Sequence, residues 1–171
     1  MAGNLGGMIE QLLDSWDRQA SMVRSVAELV TEENRGLKPN AASMSLDHQL
    51  CHIHEVRYWW LGAVSKEHQA RLGDVYTEVE GKHRPICDLN EIRNQLEISA
   101  KAVRDAAEIG LNLGGKFGPY DNALLFVQHM VWHEGYHVGQ IYTALMPAGL
   151  APDETWEEKH IWELWRGPEE W

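Results

Sequence analysis

The sequence predicts an all-α fold: a four-helix bundle with a long crossover between its second and third helices, and a short amphipathic segment at the C-terminal end. Three observations carry this. Apolar residues recur at helical spacing along four long stretches, glycine and proline break the chain between them, and the one tract that alternates like a strand finds no pairing partner nearby. The link between the second and third stretches permits an up-down-down-up course, although its length alone does not require one. The 171 residues are read as a single domain, 1–171, without internal repeat or linker.

The first helix is expected from about Met8 to Thr31, with Leu12, Trp16, Ala20 and Val23 on one face, and Gly36 and Pro39 follow as breakers. The second opens near Ser43 or Ser45, either of which suits an N-cap, and continues to about Ser65. Its apolar face holds Leu46, Leu50, Ile53, Trp60 and Val64. A polar connection with Gly73, Gly81 and Pro85 comes next and contains the alternating tract, DVYTEVE. The third helix runs from about Asp88 to Ile109 on Leu89, Ile92, Leu96, Ala100 and Val103, and GLNLGGKFGP is a loop. The fourth spans Asp121 to about Met146, where Pro147 and Gly149 stop it. TWEEKHIWELWR is the closing amphipathic segment.

Composition narrows the function. A charged share of 24% and a hydrophobic share of 44% are those of an ordinary soluble globular protein. No apolar run approaches the roughly 20 residues that cross a bilayer. The first residues lack the basic region and long apolar stretch of a secretory signal, so a cytoplasmic location is expected, with Cys51 and Cys87 as reduced, buried thiols. A formal charge of −11 with 15 scattered basic residues argues against nucleic acid as a partner, because neutralising phosphates needs clustered Lys and Arg. Nine histidines and eight tryptophans stand out against two phenylalanines.

Placement gives the histidines their meaning. In VQHMVWHEGYHVGQ, His129, His133 and His137 follow at every fourth residue; each step turns about 40° around a helix, so all three share one face. Phe126, Met130, Ile141 and Ala144 lie on that face too, which turns it inward. Buried imidazoles need partners: a metal ion, one another, or the backbone. Residues 133–137 also spell H-E-x-x-H, the zinc-protease pattern. The protease families complete that site poorly here. Position 143, a histidine in metzincins, is threonine, and Glu157, about twenty residues downstream, lies beyond Pro147, Gly149 and Pro152. The sequence offers no sheet edge to bind a peptide. A third ligand from the second helix is the better source, where LDHQLCHIHEVRYWWL provides His48, His52 and His54; a helical wheel does not choose among them.

LCHIHEVRYWWL followed much later by HMVWHEGYHVGQIYTAL resembles the DinB-like (DinB/YfiT) superfamily. LLDSWDR is similar to its opening helix and WEEKHIWELWR to the tail of some members, so the resemblance covers most of the chain. It implies a four-helix bundle of up-down-down-up topology with a divalent metal on three histidines. Carried onto this chain, two ligands are His133 and His137, which directly precede Val138-Gly139-Gln140-Ile141. The third is His52, before Ile53, with His48 and His54 as alternates and His129 as a pocket neighbour. The resemblance also implies a transferase that uses a low-molecular-weight thiol against an electrophilic substrate. Three neutral imidazoles leave coordination positions open, and an ion so held deprotonates a bound thiol. A non-enzymatic metal-binding stress-response module is the alternative, and a metal-dependent hydrolase comes third. Zinc or nickel is the expected ion, with iron and copper open, since histidine ligation suits them all. Homodimers among the relatives imply a homodimer.

Two residues are candidates for catalysis. Glu134, about 100° from His133 around the helix, is expected to be solvated or near the site, and Gln140 to bond a bound water or to support the structure. Gly135 and Gly139 each cost about 1 kcal/mol inside a helix, so a close approach is expected over them, within the chain or against a second copy. Tyr58, Trp59 and Trp60 are expected to pack, or else to line the pocket mouth, and Trp156, Trp162 and Trp165 to anchor the tail. Cys51 points about 100° away from His52, so it is not expected to be a ligand.

Overall fold

The computed structural model describes residues 5–86 and 88–166; Cys87, one of the two expected thiols, lies outside the described residues. Helix α1 (Leu5–Glu28) is followed by α2 (Leu46–Val64), with Ser45 at its N-cap, and by a single turn, α3 (Lys66–Gln69). A hairpin of β1 (Tyr76–Val79) and β2 (Lys82–Pro85) leads to α4 (Leu89–Leu113), and α5 (Ala123–Leu145) completes the long helices. A 3-10 turn at Met146–Ala148 then precedes α6 (Glu154–Glu157), a π turn at Glu158–Trp162, and α7 (Glu163–Arg166). α1 packs on α4 and α5, and α2 packs on the same two helices. No helix of the described residues is long and apolar enough to cross a membrane.

The hairpin corrects the expectation that DVYTEVE has no partner. β1 pairs antiparallel with β2, Tyr76 opposite Pro85 and Val79 opposite Lys82. Glu80 and Gly81 form the two-residue loop, and their φ values of 52° and 71° are those of a turn that matches strand twist. The partner, KHRP, is polar and unbranched, so no apolar alternation advertised it.

Helix ends follow local chemistry. Asp88 caps α4 by accepting from the backbone N–H groups of Asn90 and Glu91, and Asn122 caps α5 by accepting from that of Leu125. α4 also runs one turn past the expected end at Ile109. It continues through Gly110, against which the Phe117 ring packs; a Cβ there would lie 2.6 Å from the ring. In the tail, Ile161 is buried and Leu164 packs on the same core, while the Arg18 guanidinium donates to the Leu164 carbonyl. Trp162 and Trp165 are 50% and 40% exposed, so of the three expected anchors only Trp156 packs on the core.

The interior divides into two apolar clusters with a polar layer between them. One holds Met22–Ala27 of α1 with Val30 just beyond its end, Leu46–Ile53 of α2, Leu89–Leu96 of α4 and Ile141–Leu145 of α5; the other holds Ile9–Trp16, Leu61, Ala100–Ala107 and Ala123–Met130. At the level between, each long helix buries a polar side chain: Gln19, Arg57, Ser99, Glu134 and His137. Arg57 Nε donates to Glu134 Oε1 at 2.7 Å and Nη1 donates to Leu96 O at 2.7 Å and Ser99 Oγ at 3.1 Å. Gln19 Nε2 donates to Glu134 Oε2 at 3.3 Å. A buried charge persists only when paired and hydrogen-bonded, and this layer meets both conditions for Glu134.

Candidate metal centre

α5 carries His133 and His137 one turn apart, and α2, packed against it, brings His52 opposite them. One ligand atom from each of these three residues lies within 4.8 Å of the others, and the cluster contains no carboxylate or thiol. The Nε2 atoms of His133 and His137 are 3.0 Å apart. The His52 ring centroid lies 5.2 Å from that of His133 and 4.9 Å from that of His137.

Outer partners fix how the rings point. His137 Nδ1 donates to Gln49 Oε1, and Gln49 Nε2 donates in turn to Gln140 Oε1 at 2.8 Å. His52 Nδ1 lies 3.2 Å from the Glu55 carboxylate. With Nδ1 engaged, the Nε2 lone pairs of His137 and His52 are left for the cluster, the usual arrangement behind a metal-bound histidine. The His137 lone pair therefore faces His133 Nε2 at close range, and only a shared proton or a cation makes that contact favourable. Two imidazoles on one tetrahedral ion would hold their nitrogens about 3.3 Å apart, close to the spacing seen. Burial first, then the neighbouring imidazoles, push His133 down to about 4 and His137 down to about 3. Both rings are neutral near physiological pH, the form that ligation requires. The residues present fit a divalent ion.

The alternates go elsewhere. His54 turns into the core, its Nδ1 3.0 Å from Gln95 O and its Nε2 2.9 Å from Gly73 O, so neither nitrogen is free. His48 packs its ring edge-on to Tyr76 at 5.4 Å, and burial lowers its pKa. His129 Nδ1 accepts from Tyr120 O–H at 2.8 Å while Trp60 lies against its ring. Cys51 is fully buried beside Val75 O, and desolvation pushes its thiol up. Glu157 is not in the cluster.

Glu134 departs from expectation. It is not solvated: it is 1% exposed and ion-paired to Arg57, so the glutamate of the H-E-x-x-H stretch faces the polar layer. At Gly135 and Gly139 a Cβ would meet nothing within 4 Å, so among the described residues no close approach covers them, and of the two expected contacts the one within the chain is not made. Gln49 and Glu55, three residues before and after His52, escaped the sequence reading; their i, i+3 spacing from a ligand was the available signal. Beside His52, a cleft of about 330 Å³ is lined by Glu55, Val56, Trp59 and Trp60, so Trp59 and Trp60 take the pocket-mouth role and not the packing role alone.

These features define a class, that of largely helical proteins in which facing helices converge imidazoles on a site able to hold a metal ion. The family is also shown. The model of the DinB family matches residues 1–166, and the chain belongs to that family. No curated protein and no solved structure matches it.

Proposed function

We propose that the chain is a metal-dependent transferase in which a divalent ion on His52, His133 and His137 activates a low-molecular-weight thiol toward an electrophilic small molecule. The observation that carries this reading is the convergence of three imidazoles from two helices within 4.8 Å, in a chain that belongs to the DinB family. When bound, the ion would hold a thiol as its thiolate at neutral pH. Gln49 and Glu55 orient the rings of His137 and His52. Val56, Trp59 and Trp60 offer an apolar wall for the body of the electrophile and keep water from that side. The His52 side chain is 27% exposed and borders the cleft, which favours catalysis over a sealed structural site. A hydrolase needs a free carboxylate near the ion, and the ion pair of Glu134 with Arg57 argues against it there. Zinc or nickel suits the donor set best, with iron or copper next. An up-down-down-up course of the helices, a cytoplasmic location and a homodimer belong to the same reading.

The test begins with protein purified without an affinity tag that could carry metal, then reconstituted with zinc or nickel. Elemental analysis should find one ion per chain, and mass spectrometry should find a thioether adduct from cysteine or glutathione with an aryl halide. His133→Ala should lose both. No stoichiometric ion after reconstitution overturns the proposal at its root. A bound ion with no adduct from any thiol leaves the non-enzymatic metal-binding module in its place.

A further inference from the structure

A second cleft, of about 420 Å³, lies between α1 and α4, away from the α2–α5 face that carries the histidines. Arg24, Arg57, Arg93, Lys101 and Arg104 line it against only two acidic residues, in a chain of net charge −11. Ala20, Val23, Leu96 and Ala100 supply an apolar wall. The outer cations have carboxylate neighbours: Arg104 with Asp17 at 3.0 Å, Lys101 with Asp105 at 3.1 Å, Arg93 with Glu28 at 3.4 Å, and Arg24 with Glu97 at 3.9 Å. Such pairs at the surface are weak and exchange readily, and that of Arg24 is the loosest.

Arg57 is different. It is 1% exposed, and its Nη2 is a buried nitrogen without a hydrogen-bond partner among the described residues. The Trp16 ring lies 5.4 Å from the guanidinium carbon; that contact covers a face of the group and supplies no acceptor in its plane. A buried charged donor left unmatched is costly, and its natural complement is an anionic oxygen.

We propose that this cleft binds a small organic carboxylate with an apolar body, its head group recognised by Arg57, Arg24 and Lys101. The apolar wall beside these cations suits a hydrocarbon body, which inorganic phosphate lacks. The volume falls within the range of small-molecule sites.

Trp16 supplies the readout. Its Nε1 donates at 2.9 Å to the carbonyl of Ala100, a lining residue, so its indole N–H cross-peak, identified by its loss in Trp16→Phe, reports on the cleft. The peak is followed while benzoate, benzamide or inorganic phosphate is titrated at constant pH and ionic strength, with no ion needed at the histidine cluster. Benzoate should give a saturable shift that benzamide does not, and phosphate should bind more weakly than benzoate. The double variant Arg24→Gln, Lys101→Gln, both exposed and outside the core, should weaken benzoate by about tenfold, as should Arg57→Lys. If Arg57→Lys fails to fold, the double variant still decides. The absence of a saturable benzoate shift overturns the proposal, as does equal binding of benzamide, tighter binding of phosphate, or an unchanged affinity in the double variant.

Discussion

At the scale of single residues, the same H-E-x-x-H letters that suggest a protease serve two purposes here. The histidines join His52, while the intervening glutamate meets Arg57 across the polar layer at 2.7 Å. Removing one member of a buried pair strands the other, so Glu134→Gln or Arg57→Met should each lower stability by about 3–5 kcal/mol. The double variant Arg57→Met, Glu134→Leu should cost less than the two singles combined, because no charge is then stranded. Urea unfolding checks both, and a Glu134→Gln protein as stable as wild type would refute the pair's role. Gln49 acts through His137. Gln49→Leu should weaken zinc binding by about 10–100-fold with the helical circular dichroism unchanged, measured in competition with a chromophoric chelator.

At the scale of elements, glycines with opposite surroundings make a paired test. Gly110 is enclosed by Phe117 and Ala123, so Gly110→Ala should destabilise by about 1–3 kcal/mol through overpacking, with a lowered thermal midpoint. Gly135 and Gly139 have open space over them, and alanine at either should stabilise α5 by up to about 1 kcal/mol. Sedimentation measured alongside adds information: a loss of stability together with a lower assembly mass than wild type would identify that face as a contact between copies. The contrast explains a misplaced boundary as well. A glycine reads as a helix stop on local propensity, yet Gly110 continues α4 because tertiary packing favours the smallest residue there.

For the whole molecule, the depressed histidines set a pH dependence. In the metal-free protein His133 and His137 have native values of about 4 and about 3, below the ordinary histidine value near 6.5. Between those limits the unfolded chain binds more protons than the native one. The stability is therefore complete above about pH 6.5 and is lost as pH falls toward the native values. His48 and His54 are lowered by burial and act in the same direction. Urea midpoints should fall from about pH 7.5 to about pH 5, and zinc should raise the midpoint at the higher pH and progressively less at the lower, where protons compete for the same nitrogens. A flat profile would show that these imidazoles are not held neutral by the fold.

Periodicity within single segments determined the four long helices, their inward faces and the ladder of His129, His133 and His137, because a helix repeat is written in neighbouring residues. The sequence also pointed to the pair of stretches whose histidines the fold brings together, and to His52 through family resemblance. The tertiary structure decided the rest. Which of His48, His52 and His54 meets α5 depends on how α2 is rotated against its neighbour, and no period along one helix records that angle. The same rotation turns His54 onto two backbone carbonyls, aims Arg57 at Glu134, and brings Gln49 behind His137. Pairings that join residues far apart in the chain are set by the packing of whole helices, so they become visible only when the helices are assembled.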